Sequence, residues 1–137
     1  MNSPGFLKGS AIGYMCLIFF LSSIPGKTLT PIFELSADKL IHLAEYWGLG
    51  FLLLRWWSGT TLGQKRIRLY LVVLLFGMFF AFVDETWQGF IPGRSKDPLD
   101  FLADTTGIII SILIFHFASH FGSLQKWIRP NQSSATS

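Results

Sequence analysis

Residues 69–83 contain no charged side chain, and neither do residues 11–24. A helix of a water-soluble protein buries one apolar stripe and leaves a polar face to solvent, so uncharged runs of this length do not fit one. A bilayer core of about 30 Å needs roughly 17–25 mostly apolar helical residues. Four segments approach that length: about 9–24, stopped by Pro25-Gly26, then 40–57, 67–83 and 101–121. The pattern predicts an all-α integral membrane bundle of four transmembrane helices over 9–121. A short segment, 1–8, precedes it, and a polar, partly disordered tail, 122–137, follows. Lys8 and the first apolar run would also suit a secretory leader. However, Ser22-Ser23-Ile24-Pro25-Gly26 is a poor small-x-small cleavage site, so the first span is expected to be retained.

Composition narrows the function classes. Half of the 137 residues are hydrophobic and 14% are charged, against about 25% charged in a soluble domain. The single cysteine, Cys16, has no partner for a disulfide framework. The net charge of +3 contains no dense basic block, so the expected partner is the lipid bilayer and no nucleic acid. Loop charges orient a membrane chain. Lys8, Arg55, Lys65, Arg66, Arg68, Lys126 and Arg129 fall on one side, and Lys27, Lys39, Arg94 and Lys96 on the other. That imbalance predicts both termini in the cytoplasm.

On this topology the ionisable residues gather at the outer ends of the spans. His42 and Glu45 start the second, Asp84, Glu85 and Gln88 end or follow the third, and Asp100 and Asp104 start the fourth. Asp38, His42 and Glu45 share one helical stripe, as do Asp84 with Gln88 and Asp100 with Asp104. A charged group within a spanning helix costs about 2.5–3.5 kcal/mol even on insertion scales. These side chains are therefore expected to face one another or a polar pocket open to the outer side. His42, Glu45, Asp84, Glu85 and Asp104 are the candidates for catalysis, with adjacent Asp84 and Glu85 able to divide acid and base roles. Gln88, Arg94 and Asp100 are the ligand-binding candidates. Arg94, after the Pro92-Gly93 turn, is placed to clamp an anionic head group or to pair with Asp84 or Glu85. One reversed His-x-x-Glu and no second histidine at that end fall short of a di-iron pattern, so no metal or other cofactor is expected. Gly26-Lys27-Thr28 is not a phosphate-binding loop, because Leu21 stands where the motif needs glycine. Small residues lie one turn or more below the acids, Gly107 and Ser111 on the fourth span and Gly77 and Ala81 on the third, as close helix contacts in membranes require. His116 and His120, at the other end, read as interfacial or packed histidines.

These residues carry a family resemblance. Lys39-Leu40-Ile41-His42-Leu43-Ala44-Glu45-Tyr46, then Asp84-Glu85-x-x-Gln88-x-Phe90-x-Pro92-Gly93-Arg94, then Asp100-x-x-x-Asp104-x-x-Gly107 resemble the VanZ-like family of small bacterial membrane proteins over roughly 9–120. Asp104 stands where the family often has Asn, and Ser111 where a further Gly is common. The resemblance implies four membrane helices in a bacterial cytoplasmic membrane. It also implies a cell-envelope role linked to teicoplanin-type glycopeptide resistance, with a lipid-linked envelope precursor or a glycopeptide as partner. It implies no defined reaction, so binding and catalysis both remain open, as does the oligomeric state. The alternative is a non-enzymatic membrane scaffold or partner subunit whose polar cluster only stabilises the bundle.

Overall fold

The computed structural model describes residues 3–25 and 31–120, the stretch 31–37 as backbone only. Lys27, the tail beyond residue 120 with Lys126, Trp127 and Arg129, and the side chain of Glu34 lie outside the described residues. Within them the chain is all helical: α1 (Pro4–Ser22), α2 (Pro31–Ser58), a short 3-10 turn (Thr61–Gln64), α3 (Arg66–Gln88) and α4 (Pro98–Ala118).

Proline opens three of the four helices, where its missing N–H costs nothing and its fixed φ suits the first turn. Ser3 caps α1 by accepting from the Phe6 N–H at 3.3 Å, and Asp97 caps α4 by accepting from the Leu99 N–H at 2.9 Å. Between α3 and α4 the chain turns through Gly93, which has a φ of 76°, a left-handed conformation that a side chain would strain.

The helices alternate in direction, and α2 packs against all three others, most extensively α4. Gly107 sets that approach: a Cβ there would strike backbone of α2, the Leu43 carbonyl oxygen and, at 2.8 Å, the Trp47 nitrogen. One turn further, Ser111 fills the space beside Gly50 and donates to the Ile108 carbonyl at 2.7 Å. Gly77 of α3 rests against the Ile108 side chain, 2.8 Å from where a Cβ would stand. These small-residue contacts lie on the stripes expected beneath the acids. Gly9 and Gly13 of α1 face open space.

The core is apolar, built on Tyr46, Leu49, Leu53, Leu69, Val73, Ile108 and Phe115. The outside is apolar as well: Phe20, Leu75, Phe79 and Phe117 are 64–66% exposed. Such a surface is far beyond the patches that soluble monomers leave in water. By length and composition α1, α3 and α4 can cross a membrane. α2 is not among them, because His42, Glu45 and Arg55 interrupt it, although its 28 residues extend about 42 Å at 1.5 Å per residue. Its central position accounts for this. Neighbouring helices cover its polar face, so α2 needs less apolar surface than the others.

Candidate functional site

The expected spans stop short of the helices in two places that matter. α3 continues through Gln88, so Asp84, Glu85 and Gln88 are all helical, and α4 begins at Pro98, so Asp100 and Asp104 occupy its first two turns. The C-terminus of α1, the first half of α2, the C-terminus of α3 and the N-terminus of α4 thereby meet at one end of the bundle, here called the acidic end.

Three linked groups form there. In the first, Asp84 Oδ2 accepts from Ser22 Oγ at 2.8 Å and from Gln88 Nε2 at 3.1 Å, and Gln88 Nε2 also donates to Ser22 Oγ at 3.3 Å. In the second, His42 Nδ1 lies 3.0 Å from Asp104 Oδ1, joining α2 to α4. In the third, Lys39 Nζ bridges Asp97 Oδ2 at 2.6 Å and Asp100 Oδ1. Glu85 joins α3 to the third group, since its Oε2 accepts from the Asp97 backbone N–H at 3.2 Å. The Lys39 ammonium and the Leu99 N–H hold the Asp97 carboxyl below the usual carboxylate range.

Arg94 does not pair with Asp84 or Glu85. Its Nη1 donates to the Ser22 carbonyl oxygen at 3.4 Å. That carbonyl belongs to the last turn of α1, where free carbonyls and the helix dipole attract a cation. Ser22 and Lys39 take part at this end although the sequence reading did not name them as site candidates. A serine closing an apolar helix has no distinguishing mark, and Lys39 read as a loop charge. Tyr46 is a third: it is fully buried one turn beyond His42, with no partner for its hydroxyl among the described residues.

Burial is nearly complete. Asp84, Gln88, Asp100, His42 and Asp104 are at most 4% exposed and Glu85 is 7% exposed. Asp38, Lys39, Glu45, Arg94 and Asp97 form a half-buried rim. Among the described residues, Asp84 Oδ1, Glu85 Oε1 and Asp104 Oδ2 have no hydrogen-bond partner, and Asp84 and Glu85 make no ion pair. Buried polar atoms are normally satisfied, and leaving one open costs about 1–3 kcal/mol. The acidic end thus presents more open acceptors than donors, the Tyr46 hydroxyl being the donor also left open among the described residues. One ligand atom from each of His42, Glu85 and Asp104 lies within 4.8 Å of the others, and the same holds for Asp38, His42 and Asp100.

Among the described residues, two cavities that flank the bundle are not lined by these acids. The larger, about 510 Å³, lies against α1 and is lined by Ile12, Met15, Cys16, Phe19, Phe20, Ser23 and Phe80. Its Ser23 edge adjoins the acidic end: Ser23 Oγ accepts from Trp87 Nε1 at 2.9 Å, and Trp87 stacks on Phe19 at 5.1 Å. The smaller, about 160 Å³, lies between α3 and α4. At the opposite end, His116 Nδ1 is 3.4 Å from the Tyr70 hydroxyl and His120 Nδ1 is 2.8 Å from the His116 carbonyl oxygen.

A family model described as VanZ/LLP1 matches residues 9–119. No curated protein and no solved structure matches the chain.

Proposed function

Starting from the chain's membership of the VanZ/LLP1 family, we propose that this membrane protein crosses the bilayer four times, with both termini in the cytoplasm. We read the acidic end as an outward-facing site for a lipid-linked envelope precursor or a glycopeptide. The observation that carries this reading is the set of open acceptors, Asp84 Oδ1, Glu85 Oε1 and Asp104 Oδ2, at a bundle end assembled from four helices. A cluster that served only to hold helices together would close its own hydrogen bonds, because each buried unsatisfied atom opposes folding. Intramembrane ionisable groups left in this state mark a functional site.

The donor–acceptor balance indicates the ligand's chemistry. With Arg94 engaged on the α1 carbonyl and Lys39 on two carboxylates, the site has acceptors to offer. It suits hydroxyl, amide and ammonium donors, which amino sugars and peptides carry, better than a bare phosphate. The apolar cavity beside Ser23 supports a ligand that also bears an acyl chain. His42, Glu45, Asp84, Glu85 and Asp104 are the residues available for proton transfer if the bound ligand is modified, with Gln88 and Asp100 holding it.

The scaffold reading retains one favourable observation, the Lys39 bridge between Asp97 and Asp100, which is complete in itself. The test is expression in a susceptible host, with sensitivity measured to an acylated and a non-acylated glycopeptide. Protection against the acylated compound is the expected result. Identical sensitivity with and without the protein removes the glycopeptide reading.

A further inference from the structure

We infer that the acidic end holds a divalent first-row metal ion between His42, Glu85 and Asp104. The inference concerns the cluster just described but depends neither on a lipid nor on a glycopeptide.

The three residues come from three helices. His42 lies on α2, Glu85 on the last turns of α3 and Asp104 on α4. They are 4%, 7% and 0% exposed, and a ligand atom of each lies within 4.8 Å of the other two. In a tetrahedral site with ligands at 2.0–2.2 Å, ligand atoms stand about 3.4 Å apart. An inward movement of about an ångström by side chains alone would close the triangle. Among the described residues, two of the three carry an oxygen with no partner, Glu85 Oε1 and Asp104 Oδ2. Each is a buried acceptor for which a cation would supply the missing contact.

The neighbouring triad Asp38, His42 and Asp100 is the weaker choice. Asp100 already binds Lys39, whose ammonium would repel an ion, and Asp38 is more exposed. One imidazole with two carboxylates selects among ions. The imidazole favours Zn²⁺, and the two carboxylates also admit Mn²⁺, whereas Ca²⁺ and Mg²⁺ suit all-oxygen sites. Three protein ligands leave at least one coordination position open for water or for a donor atom of a ligand. Spacing along the chain does not reveal this site, because no two of its ligands share a helix.

The full-length protein, purified in detergent and stripped with a chelator, is loaded with Zn²⁺ or with Mn²⁺, desalted and analysed for metal content by mass spectrometry. One ion retained per chain is expected, and retention of none overturns the inference. Glu85→Gln and Asp104→Asn, checked for unchanged helicity and monodispersity, should each weaken retention by at least the roughly 10–100-fold that follows loss even of an outer-shell partner. The double substitution His116→Gln, His120→Gln should retain the ion. Loss there instead would assign the metal to the opposite end and overturn the proposal. The wild-type protein supplies a check independent of folding in variants. Bound Mn²⁺ should show coupling to a single imidazole nitrogen in pulsed electron paramagnetic resonance, and absence of nitrogen coupling would contradict His42 ligation. Metal retention without glycopeptide protection would leave this inference standing and remove only the functional proposal.

Discussion

The two ends of this bundle satisfy their polar groups in different ways. At the end carrying His116, most of the hydrogen-bonded polar side chains reach back to nearby carbonyls, and Tyr70 with His116, at 3.4 Å, joins α3 to α4. Ser58, Thr60, Ser119 and His120 each bond to a carbonyl three or four residues earlier. Such bonds form in each helix alone and require no neighbour. At the acidic end the partners are distant in sequence. Ser22 meets Asp84 across 62 residues, His42 meets Asp104 across 62, and Arg94 meets the Ser22 carbonyl across 72. That end exists only in the assembled bundle, and among the described residues it still leaves three carboxylate oxygens open. Tertiary pairing that is both extensive and incomplete is the feature on which the proposed binding site rests. Mainly local pairing, as at the opposite end, is what a helix end can form by itself.

The largest effect is expected at His42. Replacing it by Leu leaves both oxygens of the fully buried Asp104 without a partner, and breaking a buried pair from one side costs about 3–5 kcal/mol. Detergent-solubilised His42→Leu should melt well below the wild type. The double variant His42→Leu, Asp104→Leu should recover most of the loss, because an apolar pair leaves no buried charge behind. If the double variant were less stable than the single, this pair would be contributing more than mutual compensation.

Ser22→Ala comes next. It removes one of the two donors to Asp84 Oδ2 and leaves only Gln88. An under-satisfied buried group of this kind costs about 1–3 kcal/mol. Thermal unfolding followed by circular dichroism should register it.

This second effect also shows what could be read from the chain alone. The convergence of His42, Asp84, Glu85, Gln88, Asp100 and Asp104 was legible because three apolar runs end in acids at alternate termini, and helices that alternate in direction bring those termini together. Gly107 and Gly77 were legible as contact points because they continue the acidic stripes downward. The partners were not. Whether Asp84 meets Arg94 or Ser22 depends on helix rotation and on where the Gly93 turn delivers Arg94, and neither leaves a trace in hydropathy. α2 was read as a fourth apolar span on length, yet its polar face is tolerated because α1, α3 and α4 surround it.

A smaller effect concerns pH. Asp97 has its carboxyl depressed by Lys39 and the Leu99 N–H. A depressed acid contributes its stability above the unfolded-state pKa of about 3.9 and loses it as pH falls through the lower folded value. Melting temperature should therefore drop below pH 4 more steeply in the wild type than in Asp97→Asn. Parallel pH profiles would remove the Lys39–Asp97 bridge from the stability of the acidic end. The smallest effect is expected at the other end. His120 is exposed and, among the described residues, its side chain bonds to the His116 carbonyl one turn earlier, so His120→Gln should change stability by no more than about 0.5 kcal/mol.

The central claim is that the acidic end is a site and not only a joint. It is tested most directly with Asp84→Asn, which keeps the shape of the side chain and an acceptor toward Ser22 while removing the charge. Glycopeptide protection and membrane abundance should be measured on the same cells. The account predicts that protection is lost while abundance and helicity remain at wild-type levels. Protection that persists at full abundance, or that falls only in proportion to abundance, would contradict it.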